Sequence, residues 1–245
     1  MNNNFDNIRI VLIHTTHPGN IGAVARAMKT MCHSKLYLVK PRTFPSAEAT
    51  ARATGADDIL VNAVICDTLD AAIEGCHLVV GTSARERYIS CPVYSPRECV
   101  SRVIETIETG QVALLFGRES AGLSNDEIET CNMLLKIPAN NQYSSLNVAA
   151  AVQLICYEIM MSGNVNHIID DTGADKVPLA TSEEMRLFYQ HLEQCLIDLD
   201  YYDPEKPRRL MRRMKRLFNR ALLDQNELNI LRGIFSAAQE KTGKN

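Results

Sequence analysis

Small and polar residues follow four apolar runs in this chain, and their types suit ligand binding. The loop after residues 112–116 begins with Gly117, and the loop after residues 133–137 leads to Ser144. Two similar loops follow residues 8–13 and 78–80. Because the carboxyl ends of parallel strands meet at one edge of a sheet, we expect the four loops to converge on one crevice.

The side chains in these loops are mostly hydroxyls, amides and glycines, which suit a neutral or zwitterionic ligand. The sequence has no Gly-x-Gly-x-x-Gly dinucleotide loop, no Gly-x-x-x-x-Gly-Lys-Ser/Thr phosphate loop and no Gly-x-Ser-x-Gly nucleophile elbow. The first loop adds Asn20, and Arg26 follows on the predicted helix. Gly22 lies one turn before Arg26 on the same helix face, where we expect it to leave room beside the guanidinium.

A strongly basic stretch lies near the carboxyl terminus. Residues 206–220 hold eight lysines and arginines and no acidic residue, although the whole chain has a net charge of -3. Such a cluster suits phosphate binding by a nucleic acid, and a solvated cationic helix face is the simpler alternative. The candidate RNA-binding residues are Arg208, Arg209, Arg212, Arg213, Arg216 and Arg220.

Short apolar runs alternate with helical patterns up to about residue 161, which predicts an α/β fold with a mainly parallel sheet and helices on both faces. The pattern predicts a strand over residues 60–66 and a helix over residues 144–161. Periodicity lapses after residue 162, and three helical patterns follow. The predicted organisation is an α/β domain over residues 1–162, a linker over 163–181 and a small all-helical extension over 182–245. The extension is small for an independent core, so we expect it to pack against another surface.

The composition is that of a globular protein with an ample core, at 46% hydrophobic and 22% charged residues. The eight cysteines include no Cys-x-x-Cys pair, which argues against a zinc site and against a disulfide framework. We see no targeting segment and no apolar run long enough to cross a bilayer. These observations predict a cytoplasmic protein with reduced thiols, no structural metal and no membrane partner.

Three stretches together resemble, in order, the three motifs of the SpoU-type methyltransferases, which belong to the SPOUT superfamily of RNA 2′-O-methyltransferases. They are NIGAVAR at residues 20–26, GRESAGL at 117–123, and IP at 137–138 followed by SLNV at 145–148. The resemblance spans residues 8 to about 160. VVGTSAR at 79–85 and NELNILRG at 226–233 are similar to a branch of the family that modifies cytidine and uridine in tRNA.

This resemblance implies a fold and a cofactor that periodicity does not reveal. It implies a deep trefoil knot in the carboxyl-terminal part of the α/β domain, S-adenosylmethionine bound in that knot, and a homodimer. Transferred by motif, the cofactor-binding residues are Thr82, Ser83, Ala84, Gly117, Ile137, Ser144, Ser145 and Leu146. The local alternatives are a turn at Gly117, a core position for Ile137 and a helix cap at Ser144.

The reaction implied is methyl transfer to a ribose 2′-hydroxyl of tRNA, at the cytidine or uridine in position 32 of the anticodon loop. The family pattern assigns proton removal to Arg26, yet a guanidinium is a poor base at neutral pH. Arg26 would equally anchor a phosphate and stabilise the developing alkoxide. Asn20, Ser145 and Asn147 would orient it and the ribose, and Glu119 would either pair with a cation or shape the loop.

Two alternatives remain open at this level. One is a methyltransferase of the same superfamily that acts on ribosomal RNA or on another tRNA position. The other is a knotted RNA-binding protein without catalytic activity. A nicotinamide or nucleotide-phosphate enzyme is disfavoured because its glycine-rich loops are missing.

Overall fold

A seven-stranded parallel sheet forms the centre of the protein. The computed structural model describes residues 4–84, 91–140, 142–163, 177–206 and 209–242. The strands are β1 (Ile8–Ile13), β2 (Lys35–Val39), β3 (Val64–Cys66), β4 (Cys76–Thr82), β5 (Val93–Tyr94), β6 (Gln111–Phe116) and β7 (Met133–Leu135). They lie in the order β3-β2-β1-β6-β4-β7-β5, and every neighbouring pair is parallel. The predicted mainly parallel sheet is therefore confirmed.

Helices connect the strands and continue beyond the sheet. They are α1 (Pro18–Thr30), α2 (Ala47–Ala53), α3 (Asp57–Val61), α4 (Leu69–Ile73), α5 (Pro96–Ile107), α6 (Asn125–Glu129), α7 (Val148–Gly163), α8 (Ser182–Asp198), α9 (Leu210–Ala221) and α10 (Gln225–Thr242). A 3-10 helix spans Asn4–Asn7. None of the helices within the described ranges is long and apolar enough to cross a bilayer.

Strand β1 shows why the sheet carries helices on both faces. All six of its residues are buried, and successive side chains point to opposite faces. Ile8, Ile10 and Leu12 join a core cluster with α1, α5 and α7, whereas Val11 and Ile13 join a second cluster with α4 and α6. The nearly continuous apolar run is therefore that of a strand covered on both sides.

Two predicted elements were wrong in their boundaries. Asp57–Val61 forms helix α3, and only Val64–Cys66 of the predicted strand over 60–66 is extended. Acidic Asp57 and Asp58 in the first turn favour a helix start there, because they lie next to its unpaired N–H groups. Strand β5 was not predicted, since two residues are too few for a periodic signal.

The second error concerns the start of α7, which begins at Val148 and not at Ser144. Asn147 caps this helix: its Oδ1 accepts the Ala149 N–H at 2.9 Å, and its carbonyl oxygen accepts the Ala151 N–H at 3.0 Å. The predicted cap at Ser144 is therefore wrong. Residues 144–147 are a loop, and their side chains remain available at the edge of the sheet.

Helices α8, α9 and α10 build a small core of their own around Phe188. The Phe188 ring is fully buried and lies 4.9 Å from the Phe218 ring and 5.5 Å from the Phe235 ring, centroid to centroid. This unit also contacts the α/β part of the chain. The Ser182 hydroxyl donates to the Ile73 carbonyl at 2.6 Å, and Asn219 Nδ2 donates to the Glu129 carbonyl at 2.8 Å. The expected packing against another surface is present in these contacts.

His33 is a buried histidine that links stability to pH. Its ring is 2% exposed and stacks on Phe5 at 5.0 Å. Burial lowers the pKa of His33 from 6.5 to about 4, against a smaller opposing contribution from the Cys156 backbone. His33 is therefore protonated below about pH 6.5 in the unfolded chain, but only below about pH 4 in the folded chain.

We predict that stability falls as pH drops from 6.5 to 4, by roughly 3 kcal/mol from this one residue. His33→Leu keeps the apolar packing and removes the titration, so its free energy of unfolding should depend less on pH across this window. Urea unfolding at several pH values measures the difference. An unchanged pH slope in the variant would contradict the assignment.

Candidate functional site

The predicted loops meet at one cavity of about 490 Å³ at the carboxyl edge of the sheet. The structure brings all eight predicted cofactor-binding residues to its wall. These are Thr82, Ser83, Ala84, Gly117, Ile137, Ser144, Ser145 and Leu146. Asn20, Glu119 and Asn147 line the same cavity, so four of the five predicted catalytic residues, counting Ser145, lie there as well. Asn20 and Asn147, which are 127 positions apart in sequence, are thus brought to one cavity.

Glu119 joins the loop after β6 to the loop after β1. Its carboxylate accepts hydrogen bonds from the Thr16 N–H, the Thr16 hydroxyl at 2.9 Å, the His17 N–H at 3.3 Å and Asn20 Nδ2 at 3.1 Å. Partial burial opposes ionisation, but the donated bonds outweigh it, so the pKa of Glu119 is lowered. Of the two roles considered from the sequence, these contacts favour shaping the loop.

Asn20 extends this hydrogen-bond network to the loop before α7. Its Oδ1 accepts a hydrogen bond from Asn147 Nδ2 at 3.0 Å while its Nδ2 donates to Glu119. Asn147 in turn caps α7. The two amides therefore set the position of the first turn of α1 relative to the start of α7, with Glu119 between them and the β6 loop.

The loop after β4 is positioned by its neighbouring strands. The Thr82 hydroxyl donates to the Leu115 carbonyl at 2.8 Å, and the Ser83 N–H donates to the Leu135 carbonyl at 3.0 Å. These bonds tie the end of β4 to β6 and β7. The wall of the cavity formed by Thr82, Ser83 and Ala84 is consequently rigid backbone.

Gly117 lies where the chain passes very close to itself. A Cβ atom at this position would lie 2.1 Å from the Gly122 carbonyl carbon and 2.3 Å from the Leu123 nitrogen. Arg118 and Gly122 exchange two backbone hydrogen bonds, at 3.2 and 2.8 Å, which close the loop. Gly122 has a φ of 69°, which glycine adopts without strain. A side chain at Gly117 would force this loop open.

Arg118 connects the same loop to helix α6. Its guanidinium makes two 3.0 Å hydrogen bonds to the Glu127 carboxylate. Burial opposes ionisation of Glu127, yet the Arg118 hydrogen bonds and the Ser124 N–H hold its pKa below the ordinary value. The loop from residue 117 to 122 is therefore fastened through two adjacent residues, by Glu119 to the start of α1 and by Arg118 to α6.

Arg26, the fifth predicted catalytic residue, does not line this cavity. It lies exposed on α1. The expectation for Gly22 was wrong: a Cβ there would lie 2.0 Å from the Ala49 carbonyl oxygen, so the space is filled by the backbone of α2. The glycine permits close packing of two helices, and the space at Gly22 is not open to a ligand.

The cavity also includes residues that sequence reasoning missed. His17, Arg118 and Tyr143 contribute to its lining, and Tyr143 is 81% exposed. His17 directly precedes Pro18 at the start of α1, which is the only local signal for it. Among the described residues, no group of histidine, cysteine and acidic side chains has the arrangement of a metal site.

The basic stretch forms one surface on α9. Arg209, Arg212, Arg213 and Arg216 line a second cavity of about 320 Å³, between α9 and the α/β part of the chain. Arg212 Nε lies 2.5 Å from Glu129 Oε1, so Arg212 is engaged in docking α9. Arg220 is exposed farther along α9. Arg208 lies outside the described residues. The structure therefore places four of the predicted arginines together, one of them already paired.

Comparison with known proteins agrees with this architecture. Residues 7–157 match the model of the SpoU rRNA methylase family, and residues 183–245 match the C-terminal domain of the tRNA methyltransferase TrmJ. The tRNA (cytidine/uridine/adenosine-2′-O-)-methyltransferase TrmJ of Pseudomonas aeruginosa is 48% identical over 96% of this chain and 95% of its own. TrmJ of Pectobacterium atrosepticum, a tRNA (cytidine/uridine-2′-O-)-methyltransferase, is also 48% identical, over 96% and 98%.

Solved structures give the same result. The crystal structure of TrmJ from Z. mobilis ZM4 has a TM-score of 0.80 and 32% identity, covering 94% of this chain and 97% of that one. A probable methylase family protein from Haemophilus influenzae has a TM-score of 0.63 and 42% identity, covering 97% of both chains. From the converging motifs, the parallel sheet and these full-length likenesses, the chain belongs to the SpoU family of RNA methyltransferases.

Proposed function

We propose that this protein transfers the methyl group of S-adenosylmethionine to a ribose 2′-hydroxyl of tRNA, at the cytidine or uridine in position 32 of the anticodon loop. The observation that carries the proposal is the single cavity at which all three family motifs meet. Two relatives that are 48% identical over nearly the whole chain are tRNA 2′-O-methyltransferases, which supports the reaction and the tRNA substrate.

The cofactor site in this proposal is the wall formed by the loops after β4, β6 and β7. S-adenosylmethionine supplies an electrophilic methyl group when it is bound. The wall offers backbone groups, hydroxyls and the apolar side chains of Ile137 and Leu146, which fit a ligand that is part apolar and part zwitterionic. We include a trefoil knot in this segment because the chain belongs to the SpoU family. We place the methyltransferase domain at residues 1–162 and the RNA-binding extension at 182–245, with a linker between them.

The catalytic roles follow from charge and position. Asn20, Ser145 and Asn147 orient the ribose at the mouth of the cavity, and Glu119 holds the loop that carries Asn20. Arg26 stabilises the alkoxide that develops as the 2′-hydroxyl loses its proton, and it anchors the adjacent phosphate. Since Arg26 does not line the cavity of its own chain, it would act at the cavity of a partner subunit.

An exposed apolar stripe on α7 supports a homodimer. Leu154, Tyr157 and Met161 recur at helical spacing and are 43%, 43% and 47% exposed. Leu146 and Tyr143, at the cavity mouth, are exposed as well. The opposite side of α7 packs on α1 and α5. A second copy that covers this stripe would also close the cavity, so dimerisation and catalysis are coupled in this proposal.

The α9 arginines supply the RNA-binding surface. Arg209, Arg213, Arg216 and Arg220 are exposed, and most of the acidic residues lie elsewhere in the chain. Phosphate contacts of this kind give affinity without sequence preference and weaken steeply with salt. The sequence preference must then come from contacts with bases.

The direct test is labelled methyl transfer to unmodified tRNA, followed by mass mapping of the modified nucleoside. Label in the 2′-O-methyl group of nucleotide 32 is the expected result. Label at another tRNA position or only in ribosomal RNA would redirect the substrate assignment. No transfer to any RNA, with S-adenosylmethionine also failing to bind, would favour a non-catalytic RNA-binding protein.

We predict that Gly117→Ala weakens S-adenosylmethionine binding by roughly ten- to a hundredfold, because the new methyl group overpacks the loop. Isothermal calorimetry measures the change. The matched control is Gly233→Ala on α10, where an added Cβ meets nothing within 4 Å. The control should keep cofactor affinity and gain about 1 kcal/mol of stability, since alanine favours helix. Equal affinity of both variants and wild type would contradict the cofactor site.

Arg26→Ala should reduce kcat by about a hundred- to a thousandfold, because one cationic donor to the developing alkoxide is lost. The affinity for S-adenosylmethionine should stay unchanged, which calorimetry checks. Lys29→Ala is the control on the same helix: Lys29 forms an exposed ion pair with Asp58 at 2.8 Å, and exposed pairs of this kind contribute little to stability. Turnover at the wild-type rate in Arg26→Ala would remove Arg26 from the mechanism.

The double change Leu154→Glu and Tyr157→Glu should give a monomer without methyl transfer, since four charges would face one another across a symmetric interface. Light scattering coupled to size-exclusion chromatography measures the mass. Val61→Glu is the control, because Val61 is 82% exposed on α3, away from α7. A dimer of unchanged mass in the double variant would refute the role of α7.

A further inference from the structure

A third cavity, of about 680 Å³, lies beside helix α9. It is lined by Tyr201, Tyr202, Asp203, Lys206, Arg209, Leu210 and Arg213. Two of these residues, Arg209 and Arg213, also line the groove between α9 and the α/β part. They therefore form a cationic ridge between that groove and the tyrosine-lined cavity.

Tyr201 presents its ring to solvent at the edge of this cavity. The residue is 69% exposed, which is high for an aromatic side chain. Exposed aromatic rings are the surfaces on which unpaired nucleobases stack in RNA-binding proteins. The exposure leaves an apolar face available next to positive charge.

The backbone holds Tyr201 in a defined direction. Helix α8 ends through Asp200, a non-glycine residue with a φ of 54°. The N–H groups of Tyr201 and Tyr202 both donate to the Leu196 carbonyl at 3.0 Å. A left-handed residue other than glycine costs conformational energy and persists where its surroundings enforce it. The turn therefore fixes the direction in which the backbone leaves α8 at Tyr201.

The neighbouring residues complete a site for a nucleotide. Asp203 Oδ1 accepts the Glu205 N–H at 2.9 Å within its turn. Lys206, Arg209 and Arg213 provide three cations against the single carboxylate of Asp203. Arg209 and Arg213 lie one helical turn apart, so their charges lie along the direction in which a phosphate backbone would run.

We infer that Tyr201 is a stacking platform for an unpaired nucleobase of the RNA substrate, with Arg209 and Arg213 binding the flanking phosphates. This inference rests on the proposed RNA-binding role of α9 and adds a contact that duplex RNA does not make. A duplex keeps its bases stacked on one another, so only a loop, bulge or end offers a free base to Tyr201. The site thus selects single-stranded regions of a structured RNA.

The test compares variants in binding to an unmodified tRNA transcript, by fluorescence anisotropy at several salt concentrations. Tyr201→Ala and Tyr201→Leu should raise Kd about tenfold, because they lack an aromatic face, and Tyr201→Phe should bind as wild type. The slope of log Kd against log salt should be unchanged in all three, since no cation is removed. With a blunt duplex RNA of equal length, Tyr201→Ala and wild type should bind alike.

Arg213→Ala separates this inference from the proposed function. It should weaken binding to both RNAs and reduce the salt slope by about one. If Arg213→Ala behaves so and Tyr201→Ala binds tRNA as wild type, or Tyr201→Phe fails as Tyr201→Ala does, the stacking platform is refuted and the phosphate surface stands. If Arg213→Ala also changes neither affinity nor slope, the RNA-binding role of α9 fails as well, and methyl transfer is judged separately by the labelling assay.

Discussion

The hydrogen bonds accepted by the Glu119 carboxylate are the interaction on which the rest of the site depends. They join the start of α1 to the loop after β6, and Asn20 passes the connection to Asn147 at the start of α7. The three loops come from distant parts of the chain, and these hydrogen bonds connect them above the strands that they follow. A carboxylate is well suited to the task, because it accepts several bonds at once and its ionised form is favoured by them.

Close packing of backbone against backbone supports this network from two sides. Gly22 admits the carbonyl of Ala49 between α1 and α2, and Gly117 admits Gly122 within the β6 loop. Rigid positioning of this kind matters for methyl transfer, because the leaving thioether is good and the enzyme must mainly align two reactants. The cavity is consequently walled by loops that have little freedom to adjust.

The surface that we propose to bind RNA lies on α9 and is lined by other residues than the cavity. Cations on α9 give long-range attraction, and the ion pair between Arg212 and Glu129 sets where these cations lie relative to the sheet. The exposed ring of Tyr201 is proposed to add a short-range contact to a base. The proposed homodimer would bring the cavity of one subunit together with Arg26 of the partner subunit, since Arg26 does not line the cavity of its own chain.

Much of the fold was readable from the sequence, because its signals are local. The buried parallel strands follow from apolar runs such as residues 8–13, and the basic helix follows from its charges. The loops at the strand ends could be assigned to one edge because parallel topology brings carboxyl ends together. The start of α7 and the helix at 57–61 were misjudged where capping by Asn147 and acidic residues in a first turn outweighed apolar periodicity.

The sequence by itself determined the residue types of the site, their order and the parallel sheet that collects them. Only the tertiary structure decided which partners they meet: that Glu119 binds α1, that Gly22 contacts α2, that Arg212 is paired and that Arg26 is not part of the cavity lining. The reason is physical. Propensity, capping and periodicity act within a few residues and are visible in a sequence, whereas hydrogen bonds between positions 99 or 127 apart depend on how the whole chain packs.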